Sequence, residues 1–329
     1  MRLLILGGTV FLGRHVAAAA LASGAEVTLF TRGRTGTDLF PEVERRTGDR
    51  AGDLAALADG EWDLVIDTSG FTPREVLASA RLLEPRVARY VFVSTAGVHP
   101  GWPEEAGLDE SAPVRECAAD AGPQDGDYST LKAGCERAVL EVFGPERSLS
   151  VRAGLIVGPH ENVGRLPAWI ERAERGGPLV APAPPERPLQ VLDARDLAHW
   201  MLTTAAAGAR IAVGGTAAMA DLVGALGATG RAVYAPDDAL LVTGIAPWTE
   251  LPFWLPDRQF PGAMRLDGRA AGLATRPLAD TVADTRRWML EEGGRDELRD
   301  ARPARGGASV LEAARERALA QGLAQRGPG

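Results

Sequence analysis

The sequence contains little of several residue types that mark particular classes of protein. Cysteine occurs only twice in 329 residues, at Cys117 and Cys135, which excludes a disulfide framework and fits the reducing cytoplasm. Neither cysteine has the spacing of a metal site, so we expect no metal. No uninterrupted apolar run reaches the length that spans a membrane. We therefore predict a cytoplasmic protein with no membrane partner.

Lysine and tyrosine are scarce as well. Lys132 is the only lysine, so 35 of the 36 basic residues are arginines, and tyrosine occurs only at Tyr90, Tyr128 and Tyr234. Lys132 follows Tyr128 by four residues, and on a helix this spacing places both side chains on one face. A nearby ammonium lowers the pKa of a phenol, so the tyrosine becomes a usable general acid or base. The alternative is a half-buried tyrosine and a lysine reaching solvent on an ordinary amphipathic helix.

The remaining composition is that of a large α/β protein. Hydrophobic residues make up 45% of the chain, which is enough for one large domain or two joined lobes. The net charge is −8, which argues against a polyanion as the partner. We therefore expect a small-molecule substrate and no nucleic acid, in a monomer or a homodimer.

Short apolar strands alternate with helices in the first half of the chain, and this alternation indicates a parallel sheet covered by helices on both faces. Residues 100–127, rich in Pro, Gly and acidic groups, interrupt the pattern as a long excursion. Residues 246–256 contain too many prolines for a regular element. The predicted strands cover residues 2–6, 26–30, 43–47, 64–67, 89–94, 149–152, 188–191 and 210–213. The predicted helices cover residues from about 11 to 23, 51–59, 73–84, 128–143, 165–175, 193–206, 217–227, 279–291 and 308–322.

A glycine-rich turn connects the first strand to the first helix, as Gly7-Gly8-Thr9-Val10-Phe11-Leu12-Gly13. Such a turn brings backbone N–H groups and a helix N-terminus against a pyrophosphate, and glycine permits the close approach. The usual G-x-x-G-x-x-G spacing has a glycine where this chain has Val10, so a simple strand-to-helix connection is the alternative.

Together with the alternating elements, the turn predicts an α/β fold. We expect a Rossmann-type doubly wound parallel sheet, with a smaller mixed α/β substrate lobe toward the C-terminus. Residues 1–155 are assigned to the cofactor-binding domain, to which residues of about 188–206 are expected to return. Residues 156–329 are assigned mainly to the substrate lobe and the C-terminal helices.

The end of the second strand predicts which dinucleotide is bound. An acidic residue at this point normally accepts from the ribose 2′-hydroxyl, but here the sequence is Thr31-Arg32-Gly33-Arg34. Arginine in place of a carboxylate favours a 2′-phosphate, so we expect NADP(H) to be preferred, with NAD(H) possible. The alternative is that Arg32 and Arg34 are solvated loop charges in an arginine-rich protein.

Four motifs together resemble the extended short-chain dehydrogenase/reductases. They are the glycine turn, Val93-Ser94-Thr95 after the fifth strand, Tyr128-x-x-x-Lys132, and the run from Val151 to Pro159. The branch that looks most similar is the NAD-dependent epimerase/dehydratase type, whose turn also lacks the middle glycine. The resemblance extends from residue 1 to about residue 290, and the first 160 residues carry its specific motifs.

The resemblance implies a role for each motif residue. Tyr128 is the catalytic acid/base, and Lys132 binds the nicotinamide ribose while lowering the pKa of the tyrosine. Thr95, with Ser94 as the second choice, hydrogen-bonds the reacting oxygen. The cofactor-binding residues assigned in this way are Gly7, Gly8, Thr9, Phe11, Leu12, Gly13, Arg32, Arg34, Asp49, Thr68, Ser69, Lys132, Ala153 and Gly154.

Some residues depart from the family pattern. Relatives that dehydrate sugar nucleotides carry Asp-Glu directly after the threonine, whereas this chain has Ala96-Gly97, which argues against dehydration. His99 and Ala153 also replace residues usual in the family, and both lie toward the substrate. The identity of the substrate is therefore not carried over.

Several residues are candidates for contact with the substrate. His99 and His160 lie just past strand ends, although a lone histidine is more often structural. Asn162, the only asparagine, is predicted to cap the helix that begins near residue 165, or else to contact the substrate. Trp254, with Trp248 nearby, could wall an apolar pocket or pack in the core.

The favoured function is an NAD(P)-dependent oxidoreductase or epimerase that transfers hydride at an alcohol or carbonyl centre of a small or sugar-like substrate. The alternative is a non-catalytic nucleotide-sensing or RNA-associated protein on the same fold, since fold alone does not determine function.

Overall fold

The computed structural model of the protein describes residues 1–301 and 308–326, which form twelve strands and ten α-helices within those ranges. The strands are β1 (Arg2–Leu6), β2 (Glu26–Thr31), β3 (Glu44–Thr47), β4 (Trp62–Asp67), β5 (Val87–Thr95), β6 (Ser148–Ala153), β7 (Leu155–Val157), β8 (Leu179–Pro182), β9 (Pro188–Asp193), β10 (Gly208–Ala212), β11 (Thr216–Ala218) and β12 (Ala232–Ala235). The helices are α1 (Phe11–Ala22), α2 (Pro73–Leu83), α3 (Tyr128–Arg147), α4 (Arg165–Arg175), α5 (Ala194–Thr203), α6 (Met219–Ala225), α7 (Asp237–Val242), α8 (Leu278–Glu291), α9 (Gly294–Ala301) and α10 (Ala313–Arg326).

Seven parallel strands form the main sheet, in the order β10-β6-β5-β4-β1-β2-β3. The chain builds outward from β1 first toward β3 and then, from β4, toward the opposite edge. The strand order therefore reverses beside β1, and in open α/β sheets a ligand crevice lies at this switch point, outside the carboxyl ends of the strands.

Helices cover both faces of the main sheet, because each face is apolar. Helices α2 and α3 pack against one face through residues such as Val76 and Val139. Helices α1 and α5 pack against the other face, where Val16 and Leu197 belong to one buried cluster. This arrangement confirms the predicted doubly wound α/β fold.

The second half of the chain forms a separate apolar cluster. Two small sheets, β11-β9-β7 and β12-β8, lie among helices α4, α6, α7, α8 and α10. Trp169, Trp254 and Trp288 are buried in this cluster with at most 1% of their surface exposed. Nevertheless α5 packs on α1 and β10 joins the main sheet beside β6, so this part of the chain also contributes to the larger half. None of the helices in the described ranges is long and apolar enough to cross a membrane.

The structure differs from the sequence prediction mainly in short elements. A helix was predicted for residues 51–59, but only a single 3₁₀ turn forms, at Ala55–Leu57. The side chains of Asp49 and Asp53 accept hydrogen bonds from backbone N–H groups two residues ahead, and such local bonds compete with a helix.

At the chain's other end, the helix predicted from residue 308 begins at Ala313. The prediction also missed β7, β8, β11, β12, α7 and α9, which have between three and eight residues each. Elements this short show too little periodicity to be recognised.

Candidate active site

The glycine turn packs closely against the end of β4. Gly7 has a φ of +113°, and a Cβ atom there would lie 2.5 Å from the Thr68 hydroxyl oxygen. A Cβ atom at Gly13 would lie 2.6 Å from the backbone nitrogen of Gly8. The Thr68 and Ser69 hydroxyls both donate to the Leu6 carbonyl, at 3.1 and 3.0 Å. A larger residue at either glycine would therefore push α1 away from the strand ends.

The N-terminus of α1 suits an anion. Its N-cap residue is Val10, whose side chain makes no capping hydrogen bond, and the first turn contains no acidic residue. The first-turn N–H groups therefore keep the orientation and the positive end of the helix dipole that bind phosphate. Phe11 begins the helix half-buried, Leu12 is buried, and the Thr9 hydroxyl lies 3.3 Å from that of Thr35. The turn thus fits the pyrophosphate of a dinucleotide.

The two arginines after β2 are exposed beside this turn. Within the described residues, the side chains of Arg32 and Arg34 form neither a hydrogen bond nor an ion pair. By contrast, partly buried arginines such as Arg50 and Arg195 are paired with carboxylates. Asp49 follows β3, and its carboxylate accepts from the backbone of Ala51 at 3.1 Å. Both arginines are consequently free to contact an added phosphate.

Lys132 is turned into the protein interior. Only 3% of its surface is exposed, and Nζ donates to the carbonyls of Gly70 and Val93 at 2.8 and 2.6 Å. The ammonium also lies over the rings of Phe71 and Phe92, at 5.0 and 4.5 Å from their centroids. Burial lowers the pKa of Lys132 to about 8. An ammonium has three donors, so one remains beyond these two carbonyls.

A buried ion pair that sequence analysis missed lies beneath this lysine. The Arg50 guanidinium donates to both carboxylate oxygens of Asp67, at 2.9 and 2.6 Å, and the Tyr90 hydroxyl donates to the same carboxylate at 2.8 Å. Burial alone raises the pKa of Asp67, but Arg50 and these hydrogen bonds outweigh it and lower that pKa. The network holds the end of β4 in place, and Thr68 and Ser69 follow directly after it.

Tyr128 is the first residue of α3, whose N-cap carboxylate, Asp127, accepts from the backbone of Thr130 at 2.8 Å. The residue is 55% exposed, and its ring lies 6.4 Å from that of Phe71. The phenol nevertheless has a raised pKa, because burial of the phenol oxygen outweighs the charge of Arg165 and the Thr95 hydroxyl, which both lower it. The predicted lowering by Lys132 is thus not what the structure shows, since that ammonium is directed at backbone carbonyls.

The structure brings Thr95 to Tyr128 and keeps Ser94 apart. Thr95 ends β5, where its hydroxyl accepts from the backbone of Gly97 at 3.2 Å and lies within reach of the phenol. A Cβ atom at Gly97 would lie 2.6 Å from the Ser129 hydroxyl, which shows how closely the start of α3 packs on the end of β5. Ser94 is 4% exposed, and its hydroxyl has no partner in the described part of the chain.

Sequence analysis did not single out Arg165. It begins α4, and its guanidinium carbon lies 5.4 Å from the centre of the Trp248 ring. Burial lowers the pKa of Arg165, while the charges of Glu161 and Tyr128 raise it. A basic residue at a helix N-terminus opposes the helix dipole, and this unfavourable position was the signal available in the sequence.

Trp248, and not Trp254, contacts Arg165 at the start of α4. Trp254 is fully buried in the C-terminal cluster, and its indole N–H donates to Asp237 at 2.8 Å. The alternative of core packing applies to Trp254 because its neighbours are the apolar residues of α4, α6 and α8.

The two candidate histidines are held by other protein groups. His99 is fully buried, with Nδ1 2.9 Å from the Pro113 carbonyl and Nε2 3.4 Å from Arg152, so it is enclosed away from an open pocket. The His160 ring lies 5.8 Å from that of His15, and its Nδ1 lies 3.3 Å from a carboxylate oxygen of Glu297. Neither ring lies among the groups that surround Tyr128.

Asn162 was predicted to cap α4, and this prediction is wrong. Asn162 forms no hydrogen bond in the described residues, and Glu161 takes its place by accepting from the backbone N–H groups of Arg165 and Leu166 at 2.6 and 3.1 Å. A carboxylate satisfies a helix N-terminus more strongly than a neutral amide, because it complements the helix dipole.

Ala153, a predicted cofactor-binding residue, is buried at the end of β6, and the N–H of Gly154 donates to the carbonyl of Ala212 at 3.0 Å. No group of three His, Cys, Asp or Glu in the described residues could hold a metal ion.

Two curated proteins are similar to this chain. A dTDP-6-deoxy-L-talose 4-dehydrogenase (NAD(P)(+)) from Kitasatospora kifunensis is 29% identical over 205 residues, which cover 54% of this chain and 60% of that protein. A chloroplast stem-loop binding protein of 41 kDa from Arabidopsis thaliana is 26% identical over 219 residues, which cover 61% of this chain and 54% of that protein. The chain thus matches less than two thirds of the length of either relative.

Solved structures share the fold at lower identity. The enzyme WbmH from Bordetella bronchiseptica, solved in complex with NAD+, has a TM-score of 0.63 and 19% identity, over 89% of this chain and 99% of that chain. A nucleoside-diphosphate-sugar epimerase from Pseudomonas aeruginosa has a TM-score of 0.61 and 22% identity, over 89% of this chain and 98% of that chain. The model of the NAD dependent epimerase/dehydratase family matches residues 3–217, which is more than half of the sequence. Its glycine turn, its doubly wound sheet and this match agree, and the chain belongs to the NAD dependent epimerase/dehydratase family.

Proposed function

We propose that the protein is an NAD(P)-dependent oxidoreductase or epimerase that transfers hydride at an alcohol or carbonyl centre of a small or sugar-like substrate. The observation that carries this proposal is the meeting of the Tyr128 phenol and the Thr95 hydroxyl at the carboxyl edge of the sheet. A phenol beside a second hydroxyl suits proton exchange with one substrate oxygen, which both groups can contact.

The roles of the residues follow from their chemistry. When bound, the nicotinamide cofactor supplies or takes up the hydride. The raised pKa keeps the Tyr128 phenol protonated at neutral pH, so it donates the proton when a carbonyl is reduced, and it accepts the proton in the reverse direction. Thr95 holds the same oxygen. The remaining donor of Lys132 binds the nicotinamide ribose, and the first-turn N–H groups of α1 hold the pyrophosphate.

We assign NADP(H) as the preferred cofactor, with NAD(H) as the weaker one. The unpaired Arg32 and Arg34 support this assignment, because a 2′-phosphate gains charge-assisted hydrogen bonds from them. Residues 1–155 with the returning segment 188–206 form the cofactor side in this proposal, and residues 156–329 mainly supply the substrate side.

Reduction or epimerisation is supported over dehydration. Elimination of water needs an additional acid and base at the substrate, and the two residues after Thr95 are Ala96 and Gly97, which have no ionisable group. Both are buried at the start of the excursion that follows β5.

The proposal can be tested without a known substrate at the outset. Native mass spectrometry of the freshly purified protein should show a bound nicotinamide dinucleotide, and with it any trapped small molecule. Candidate nucleotide sugars are then screened by absorbance of the reduced nicotinamide for oxidoreduction and by isomer analysis for epimerisation. The Tyr128→Phe variant serves as the inactive control. Absence of a bound or binding dinucleotide would contradict the proposal.

A second candidate function is RNA association, because one relative carries the name of a stem-loop binding protein. The net charge of −8 and the Tyr128–Thr95 pair argue against it, since a simple binder needs neither. Salt-sensitive retention of a stem-loop RNA, together with a lack of cofactor turnover, would favour this candidate.

A further inference from the structure

Phe71 has an unusual position for an aromatic side chain. It lies in the loop between β4 and α2, and 51% of its surface is exposed. Of all the aromatic residues, each of which lies in the described ranges, only Phe71 and Tyr128 are exposed, and their ring centres are 6.4 Å apart. Aromatic side chains gain by burial, so a pair left open at the strand ends indicates a surface that a bound molecule covers.

One face of the Phe71 ring covers the ammonium of Lys132. Nζ lies 5.0 Å from the centre of this ring, and it donates to the carbonyl of Gly70, the residue before Phe71, at 2.8 Å. Nζ also lies 4.5 Å from the ring centre of Phe92, which is fully buried. Since Phe92 belongs to the interior, Phe71 is the ring that separates the ammonium from solvent, and only 3% of Lys132 is exposed.

This cover keeps the ammonium dry. Burial is the strongest influence on Lys132, and it lowers the pKa of the ammonium from 10.5 to about 8. The other ionisable groups that act on it are Cys135, Asp67 and Glu136, which raise this pKa, and Arg50, which lowers it. An ammonium shielded from water forms stronger hydrogen bonds, because no solvent competes and the local dielectric constant is low.

We infer that Phe71 is a positioning residue of the site, whose ring shields Lys132 from water and connects it, by ring contact, to Tyr128. A hydroxyl that reaches the remaining donor of Lys132 from solvent passes along this ring. The exposed part of Phe71 is therefore the surface against which the nicotinamide riboside lies. The contact with the cofactor rests on the proposed function, but the shielding of the ammonium does not.

Because the chain has a single lysine, the shielding can be tested directly. Labelling the full-length protein with ¹³Cε-lysine gives one NMR signal, and its pH titration reports on Lys132 alone. Phe71→Ala should move the midpoint of this titration upward by about one pH unit or more, because water then reaches the ammonium. Phe71→Leu retains an apolar cover and should not raise the midpoint.

Leu140→Ala removes an exposed apolar side chain from the same helix as Lys132, and this matched control should leave the midpoint unchanged. An unfolded chain would titrate near the ordinary value, so circular dichroism verifies that each variant is folded, and the urea-unfolded protein supplies the reference signal. If Phe71→Ala does not fold, Phe71→Val replaces it with the same expectation. The shielding is overturned if the folded variant titrates like the wild type, or if Leu140→Ala moves the midpoint equally.

Calorimetric titration with NADP+ tests the contact with the cofactor. The affinity of the wild type should fall as the pH rises through about 8, because Lys132 then loses the proton that it donates to the ribose. At neutral pH, Phe71→Ala should bind NADP+ about tenfold less tightly, because the ring contact is lost and water competes for the ammonium. Its affinity should also persist to higher pH than that of the wild type.

Unchanged NADP+ affinity in Phe71→Ala, with the NMR midpoint moved, would overturn the nicotinamide contact and leave the shielding in place. Failure of the proposed function would appear differently, as a lack of dinucleotide binding in the wild type and in every variant. The NMR titration needs neither cofactor nor substrate, so it would decide the shielding in that case as well.

Discussion

At the scale of single residues, Tyr128 carries the proposed proton transfer. Tyr128→Phe removes the phenol oxygen but keeps the ring beside Phe71, so turnover should fall by about 10²- to 10⁴-fold while cofactor affinity stays nearly unchanged. Steady-state kinetics and calorimetric cofactor titration measure the two quantities. Tyr234→Phe, in the short strand β12, is the control. Turnover near that of the wild type in Tyr128→Phe would remove the proposed role.

Thr95 and Ser94 can be distinguished at the same scale. Thr95→Val replaces the hydroxyl beside the phenol by a methyl group of similar volume. The value of kcat/KM should therefore fall by roughly 10- to 100-fold, which corresponds to about 1.5–3 kcal/mol of transition-state stabilisation. Ser94→Ala removes a buried hydroxyl that has no partner in the described residues, and it should leave kcat/KM nearly unchanged. The opposite pattern, with a silent Thr95→Val and an impaired Ser94→Ala, would show that the wrong hydroxyl was chosen.

At the scale of elements, the end of β2 decides the choice of cofactor. Arg32 is exposed beside the glycine turn, so NADP(H) should bind at least tenfold more tightly than NAD(H), through charge-assisted bonds worth about 1.5–3 kcal/mol each. Arg32→Ala should remove most of this difference and hardly change NAD(H) binding. Isothermal titration of both cofactors measures it, with Arg137→Ala as the control on α3. Equal affinities for NADP(H) and NAD(H) in the wild type, or a preference for NAD(H), would show that Arg32 is only a solvated loop charge.

At the scale of the whole molecule, His15 links the two halves. It lies on α1, and its Nε2 is 2.8 Å from the carbonyl of Pro159, in the loop that leads to α4. Burial lowers the pKa of His15 to about 4, whereas the unfolded chain has the ordinary value of 6.5. Between these pH values the unfolded imidazole binds a proton that the folded one does not, so the free energy of unfolding should decrease as pH falls from 6.5 to 4.

This decrease should amount to about 2–3 kcal/mol from His15. Urea unfolding at several pH values across that range measures it. His15→Gln keeps a donor for the Pro159 carbonyl but does not titrate, so its stability should depend less on pH. His199→Gln, at an exposed position on α5, should keep the dependence of the wild type. Identical pH dependence in His15→Gln and the wild type would contradict the assignment.

Local patterns in the sequence were enough to predict most strands of the main sheet. The glycine turn, the apolar strands and the amphipathic helices α2 and α4 each follow from residues close in the chain, and their alternation implies the doubly wound fold. The predicted end of the Tyr128 helix at residue 143 matches a break in α3, where Gly144 has a φ of +69°. The same motifs identified Tyr128, Lys132 and Thr95 as site candidates, although their roles stay predictions.

Only the tertiary structure decided where the side chains of the site point. Lys132 has the spacing of a partner for Tyr128, but its ammonium donates to the carbonyls of Gly70, after β4, and Val93, in β5. Arg165 and Trp248 lie far apart in sequence and meet because α4 and the loop around Trp248 pack in the same apolar cluster of the C-terminal half. Contacts between distant segments depend on how whole elements pack, and local periodicity carries no information about that packing.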